Sequence, residues 1–179
     1  LWPVLDLDPE CHVLVLFARI RESAERMRSE VGAEHCRFTF LLLVDREAAP
    51  ESALCELPLA RHERRPRMLI SHSTGKQTRT EFRDLGAIGQ RRLVVATAPF
   101  LRRHQILLHA LELGIPVLGD GIYAGKPLPM LSAIKRTYRP SRNREEKPLY
   151  DGPAYFLHKV TMGQGLLIEG REPPRWPGL

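Results

Sequence analysis

The sequence is poor in cysteine, in lysine and in long apolar runs, and each scarcity excludes a class of protein. Its three cysteines are far apart and show no C-x-x-C spacing, which argues against a disulfide framework and against a zinc site. No apolar run is long enough to span a membrane, and the first residues lack the basic flank and apolar stretch of a secretion signal. We therefore expect a soluble, intracellular protein with reduced thiols.

Positive charge dominates and is carried mainly by arginine. The formal net charge is +6, and 22 of the 27 basic residues are arginine. The planar guanidinium suits phosphate oxygens and stacks on bases, whereas the lysine ammonium acts as a point charge. A GC-rich genome would produce the same ratio, but the arginines also cluster, and clusters that meet in the fold would form a surface for a polyanion. The clusters are Arg61, Arg64, Arg65 and Arg67; Arg91 and Arg92; Arg102 and Arg103; and Arg136, Arg139, Arg142 and Arg144.

Hydrophobic patterning predicts an α+β domain with a mostly antiparallel sheet. Residues 21–32 and 102–113 have helical patterns, and residues 136–148 have no apolar period and are predicted to be a mobile basic loop. The other apolar runs are short and separated by turn residues, as is typical of strands that follow one another without helical crossovers. The predicted strands are 12–20, 36–44, 67–73, 77–86, 91–99, 154–162 and 165–170, with at most one short strand in 45–66.

Spacing excludes several common catalytic motifs. His104 and His109 are five residues apart, so on a helix they diverge by about 140°, whereas a zinc-binding pair needs an i, i+4 spacing. Residues 73–77 contain a Gly-Lys pair but not the remaining residues of a phosphate loop, and residues 119–125 lack a G-x-G-x-x-G pattern. No serine lies in a G-x-S-x-G elbow. The sequence therefore contains no motif that indicates a metal site, a nucleotide-binding fold or a hydrolase.

Residues 102–125, RRHQILLHALELGIPVLGDGIYAG, resemble the G-R-T-H-Q-I-R-x-H-x-x-x-x-G-x-P-x-x-G-D-x-x-Y-G signature of the RluA-type pseudouridine synthases, which isomerise uridine in RNA. Four further segments match family landmarks in order: 5–19, 38–44, 76–86 and 156–162. The resemblance covers about residues 4–168 and implies the pseudouridine synthase fold, a mixed, mostly antiparallel sheet flanked by helices and loops. It also implies a catalytic-type domain over residues 1–170 that is incomplete at its N-terminus, followed by a Pro-rich tail at 171–179.

The resemblance assigns roles to individual side chains. Asp8 falls on the family's catalytic aspartate, which assists cleavage of the glycosidic bond without a cofactor, and Arg102 falls on the arginine that pairs with it. Phe40 falls where the family has a tyrosine packed against the target base, so stacking is kept and the hydroxyl is lost. The side chains expected to contact RNA are Arg103, His104, Arg136, Arg139, Arg142 and Arg144.

Other signature residues have structural interpretations. His104, Gln105 and His109 are also predicted to be hydrogen-bonding residues of the core. The turn that positions the preceding helix is predicted to consist of Gly119, Asp120 and Tyr123.

Departures from the family pattern around Asp8 leave two functions open. Leu5-Asp6 replaces a His-Arg pair, so a carboxylate stands where the family has the arginine that fills the gap left by the flipped base. The first function is an active RNA pseudouridine synthase acting on structured RNA such as ribosomal RNA. The second is a catalytically impaired homologue that binds RNA in ribosome assembly, with ribosomal or assembly proteins as partners. Both are expected to need no cofactor, metal or membrane, and the resemblance suggests a mitochondrial location. The other departures are Cys11-His12-Val13, Leu101, Arg103 and Leu107.

Overall fold

A computed structural model describes residues 1–5, 8–9, 12–33, 35–45, 50–123, 125, 127–134, 137–139, 146, 148 and 152–170. The strands are β1 (Trp2–Pro3), β2 (His12–Val13), β3 (Phe17–Ala18), β4 (Arg37–Asp45), β5 (Ser52–Cys55), β6 (Leu59–Arg61), β7 (Met68–Ile70), β8 (Thr80–Ile88), β9 (Arg91–Ala98), β10 (Tyr155–Met162) and β11 (Leu166–Glu169). The helices are α1 (Arg21–Gly32), α2 (Gln105–Glu112) and α3 (Leu131–Ile134). The predicted Pro-rich tail, residues 171–179, lies outside the described residues.

The central sheet has the strand order β11-β10-β4-β9-β8-β5, and all of these neighbours pair antiparallel. The short strand β2 also pairs with β10, in the parallel direction. In β4 the side chains alternate between the faces, so that Phe38, Phe40, Leu42 and Val44 point into the main core. The predicted α+β class with a mostly antiparallel sheet is thus confirmed.

Most predicted elements are present, with five differences. Residues 12–20 form two short strands, β2 and β3, instead of one, and residues 45–66 contain two strands, β5 and β6, instead of at most one. The second helix begins at Gln105, three residues later than predicted, and neither β1 nor α3 was predicted. Strands β5 and β6 are only four and three residues long, which is too short for a recognisable alternation of polar and apolar residues. They are defined instead by their pairing, of β5 with β8 and of β6 with β7.

Helix α2 is buried against the face of the sheet that carries Phe38 and Phe40. Its residues from Gln105 to Ala110 are all buried, and the polar side chains among them, Gln105 and His109, are hydrogen-bonded within the core. After the helix, Val117 pairs with Val44 at the end of β4, which returns the chain to the sheet. No helix in the described ranges is long and apolar enough to cross a membrane.

The turn after α2 depends on Gly119. Its φ is 77°, and a Cβ atom there would lie 2.6 Å from the carbonyl oxygen of Gly152. The Asp120 carboxylate then accepts hydrogen bonds from the amides of Ile122 and Tyr123, at 2.9 and 3.1 Å. This turn brings Tyr123 back against the start of α2, in agreement with the turn predicted from the sequence.

Candidate active site

Asp8 lies against the residue that precedes α2. The main-chain amide of His104 donates to both Asp8 carboxylate oxygens, at 3.0 Å to Oδ1 and 2.9 Å to Oδ2, across 96 residues of sequence. The Asp8 side chain is 13% exposed, so it is held by the protein and still reached by solvent. A carboxylate that accepts a main-chain hydrogen bond is stabilised in its charged form and cannot rotate freely.

His104 has an unusual backbone conformation. Its φ is 54° and its ψ is 15°, which makes it the one non-glycine residue with a positive φ in the part of the chain that the structure describes. A left-handed conformation costs a residue with a Cβ atom about 1–2 kcal/mol. Such strain persists only where surrounding contacts impose it, and here the strained residue is the one whose amide binds Asp8.

The imidazole of His104 is fully buried and is anchored through Tyr123. His104 Nδ1 lies 2.9 Å from the Tyr123 hydroxyl, and that hydroxyl also accepts from the Met68 amide at 2.8 Å and donates to the Met68 carbonyl at 3.2 Å. Arg103 Nε donates to His104 Nε2 at 3.4 Å, which assigns the imidazole proton to Nδ1. Burial raises the pKa of Tyr123 to about 12, so the phenol keeps its proton at physiological pH. The side-chain anchor thus stabilises the strained backbone.

Phe40 and Tyr155 form a stacked pair beneath Asp8. Their ring centroids are 6.1 Å apart with an interplanar angle of 23°, and the rings are buried, with 2% and 1% of each residue exposed. The Tyr155 hydroxyl donates to Asp8 Oδ2 at 3.3 Å. The structure thus places Phe40 in the core, beside a tyrosine that the sequence patterns did not identify. Stacking of Phe40 on a base stays a prediction.

Arg102 makes other contacts in the structure, and its pairing with Asp8 stays a prediction. Among the described residues no ion pair joins Arg102 to Asp8, whose carboxylate accepts from the His104 amide. The Arg102 guanidinium instead lies over the Phe100 ring, 5.4 Å from its centroid, and its Nε is buried without a hydrogen-bond partner. Its main-chain amide donates to Gln105 Oε1 at 2.9 Å, which closes the turn before the helix.

A basic cleft of about 450 Å³ adjoins this site. Four cationic side chains line it, and none of the described residues that line it is acidic. Arg102 and Arg103 come from the loop that leads into His104, whereas Arg61 and Lys76 come from the segment around the β6–β7 hairpin. A neighbouring depression shares Arg61 and adds Arg64 and Arg65. The fold therefore unites two arginine clusters that are separate in the sequence, together with a lysine that the sequence analysis missed. The other residues that line the cleft are Leu59, Ala60, Met68, Thr74 and Leu101.

A second buried network secures α2 behind the site. His109 Nδ1 lies 2.9 Å from Thr80 Oγ1, and His109 Nε2 lies 2.9 Å from Thr78 Oγ1 and 3.1 Å from the Leu57 carbonyl oxygen. Gln105 Nε2 donates to Thr80 Oγ1 at 3.1 Å. Burial lowers the pKa of His109. These contacts agree with the core, hydrogen-bonding interpretation of both residues.

His104, which was predicted to contact RNA, is fully buried, and the remaining arginines of the predicted clusters are distributed differently. Arg91 and Arg92 form ion pairs with Asp45 and Asp84 at one end of the sheet, so they stabilise strand pairing. Arg139 is exposed. The structure describes no group of three or more metal-ligating side chains within its defined ranges. Arg136, Arg142 and Arg144 lie outside the described residues, and their contact with RNA stays a prediction.

The chain is similar in sequence to known RNA pseudouridine synthases. No family model matches the chain. The dual-specificity RNA pseudouridine synthase RluA of Yersinia pestis is 29% identical over 113 residues, which are 62% of this chain and 55% of that protein. RNA pseudouridine synthase 2, chloroplastic, of Oryza sativa subsp. japonica is 31% identical over 143 residues, which are 76% of this chain and 32% of that protein. The chain therefore spans about half the length of the Yersinia relative, 55%, and less of the rice one.

A solved structure confirms the predicted fold. Human RNA pseudouridylate synthase domain containing 4 superimposes with a TM-score of 0.71 at 16% identity, covering 97% of this chain and 72% of that one. At this identity the likeness concerns the fold alone, and it agrees with the pseudouridine synthase fold that the sequence resemblance implied.

Proposed function

Because this chain belongs to the RluA-type pseudouridine synthase family, we propose that it isomerises uridine within a structured RNA and that Asp8 is its catalytic carboxylate. The observation that supports this most directly is the position of Asp8. It matches the family's catalytic aspartate in sequence, and its carboxylate is clamped by the His104 amide. The two residues before His104, Arg102 and Arg103, line a cleft that contains four cations. Ribosomal RNA is the class of substrate that we propose.

The proposed chemistry needs a carboxylate that is ionised, aimed and partly accessible. Uridine and pseudouridine contain the same atoms: the bond from C1′ to N1 breaks, a bond from C1′ to C5 forms, and a proton moves from C5 to N1. A carboxylate assists by adding to the ribose or to the base, or by taking up the proton. Asp8 meets the structural requirements, because its oxygens accept hydrogen bonds from His104 and Tyr155 and 13% of its side chain is exposed.

RNA is the substrate class that suits the cleft. A buried glycosidic bond is reached only when the uridine leaves the base stack, so the enzyme must hold the flanking backbone while the base is turned out. Arg61, Lys76 and Arg103 have no ion pair to a carboxylate among the described residues and are available to phosphate oxygens. Arg102 also lines the cleft, and we propose that its guanidinium contacts the bound nucleotide.

The experiment that tests this function is pseudouridine mapping by carbodiimide labelling and sequencing of cellular RNA. Cells would carry the full-length protein as wild type, as Asp8→Asn, or as Glu112→Gln, a control that removes one exposed carboxylate at the end of α2. We expect Asp8→Asn to abolish one or a few discrete sites and the control to preserve them. An unchanged map in Asp8→Asn cells, with the variant folded and present at wild-type level, would exclude Asp8 as the catalytic group.

A second candidate function is a catalytically impaired homologue that binds RNA in ribosome assembly, together with ribosomal or assembly proteins. The observation that favours it is that the Arg102 guanidinium lies over the Phe100 ring and forms no ion pair with Asp8 among the described residues, although the family resemblance would pair the two. In the same mapping experiment this function predicts an unchanged map in Asp8→Asn cells and defective ribosomal particles only when the protein is removed. We also propose a mitochondrial location, which fractionation of cells expressing the full-length protein would test.

A further inference from the structure

Strand register brings an aromatic pair under the candidate catalytic carboxylate. Strand β10 runs antiparallel to β4, with Tyr155 opposite Leu42 and Leu157 opposite Phe40. Tyr155 and Phe40 are therefore diagonal neighbours on one face of the sheet, close enough for aromatic side chains to touch. Their rings stack at 6.1 Å, and both are almost completely buried. The stacked pair contains a single hydroxyl group, that of Tyr155.

That hydroxyl is directed at Asp8. Tyr155 Oη donates to Asp8 Oδ2 at 3.3 Å, across 147 residues of sequence. The same carboxylate oxygen accepts from the His104 amide at 2.9 Å. One donor comes from the central sheet and the other from the loop before α2, so Oδ2 is held between two elements that are packed separately in the core. Two donors at fixed positions on one oxygen restrict the rotation of the Asp8 carboxylate about its Cβ–Cγ bond.

We propose that Tyr155 is a positioning residue, which holds the Asp8 carboxylate against the His104 amide through its hydroxyl. Phe40 supports it by stacking on the buried ring, which restricts the movement of the ring and of its hydroxyl. The catalytic consequence rests on the proposed function: a carboxylate free to rotate would be aimed at the substrate for a smaller part of the time. The hydrogen bonds that hold Asp8 between Tyr155 and His104 do not depend on any activity.

Tyr155→Phe removes the hydroxyl and keeps the ring, and Tyr138→Phe is the matched control because it removes a hydroxyl from an exposed tyrosine. The first readout is the proton chemical shift and hydrogen exchange of the His104 amide by nitrogen-15 NMR, measured on the full chain without RNA. We expect Tyr155→Phe to move this amide proton upfield and to speed its exchange at least tenfold, while Tyr138→Phe leaves both unchanged. An unchanged His104 amide in Tyr155→Phe overturns the proposal.

The second readout is kinetic and uses a uridine-containing transcript that the mapping experiment identifies as a substrate. We expect kcat to fall by about 10- to 100-fold in Tyr155→Phe, as is usual for a misplaced catalytic group, with KM within about twofold of the wild-type value. Unchanged kcat and KM would overturn the positioning role even if the amide shifts. If the wild-type protein forms no pseudouridine, the proposed function fails, and the His104 amide alone decides whether Tyr155 clamps Asp8.

Discussion

Nδ1 of His104 and the hydroxyl of Tyr123 lie 2.9 Å apart, and this contact fixes the residue that holds Asp8. The two rings meet edge to face, with centroids 5.6 Å apart. His104 combines a left-handed backbone with a fully buried side chain, so its side-chain contacts oppose the backbone strain. The buried contacts of the His104 imidazole therefore also position the His104 amide that binds Asp8.

Replacement of His104 by glycine and by alanine separates these two effects. Both variants lose the imidazole, but only alanine keeps a Cβ atom in the left-handed region. We expect both variants to be less stable than the wild type. The free energy of unfolding of His104→Ala should be about 1–2 kcal/mol lower than that of His104→Gly. Urea unfolding followed by circular dichroism measures the difference. Equal stability of the two variants would mean that residue 104 relaxes to a negative φ once its ring is removed.

Neutralising the basic cleft should weaken RNA binding in a salt-dependent way. We expect the double variant Arg61→Gln with Lys76→Gln to bind a ribosomal RNA stem-loop less tightly. The slope of log K against log salt concentration should also become shallower, by about 0.7 for each single-strand phosphate that the variant no longer neutralises. Fluorescence anisotropy over a range of potassium chloride concentrations measures both quantities.

The control for the cleft variant neutralises Arg19 and Arg21, which are exposed at the start of α1 and do not line the cleft. This variant changes the net charge equally and should retain most of the affinity and the salt slope. A similar decrease of affinity in both variants would indicate that net charge, and not the cleft, drives RNA binding.

Burial of His109 should make stability decrease in mild acid. Desolvation lowers its pKa in the folded protein below the ordinary value of 6.5, so the unfolded chain binds the proton more readily. The stabilisation is complete above pH 6.5 and is lost as the pH falls from 6.5 towards the folded-state pKa, with a limiting slope of about 1.4 kcal/mol per pH unit. We expect His109→Gln to remove this contribution. Urea unfolding of both proteins between pH 7.5 and 5 measures it, and parallel pH profiles would contradict the assignment.

Local sequence pattern determined much of the fold. Helix α1 coincides with the predicted residues 21–32, and β4 follows a run whose alternate side chains enter the core. These elements are long and periodic, so their character is set by residues that are close in sequence. The family resemblance likewise predicted the turn around Asp120 and the hydrogen-bonding residues of α2, and it selected Asp8 as the candidate catalytic residue, because the order and spacing of residues can be read from the sequence.

Tertiary structure alone decided which groups meet at Asp8. The main-chain amide of His104, a residue with a positive φ, donates to the Asp8 carboxylate, and the sequence patterns did not identify this contact. The contact with Tyr155 spans 147 residues and depends on the register of β10 against β4. The union of Arg61 with Arg103 in one cleft likewise depends on how the β6–β7 hairpin packs beside the start of α2. Sequence specified the chemical groups, and long-range packing specified their partners.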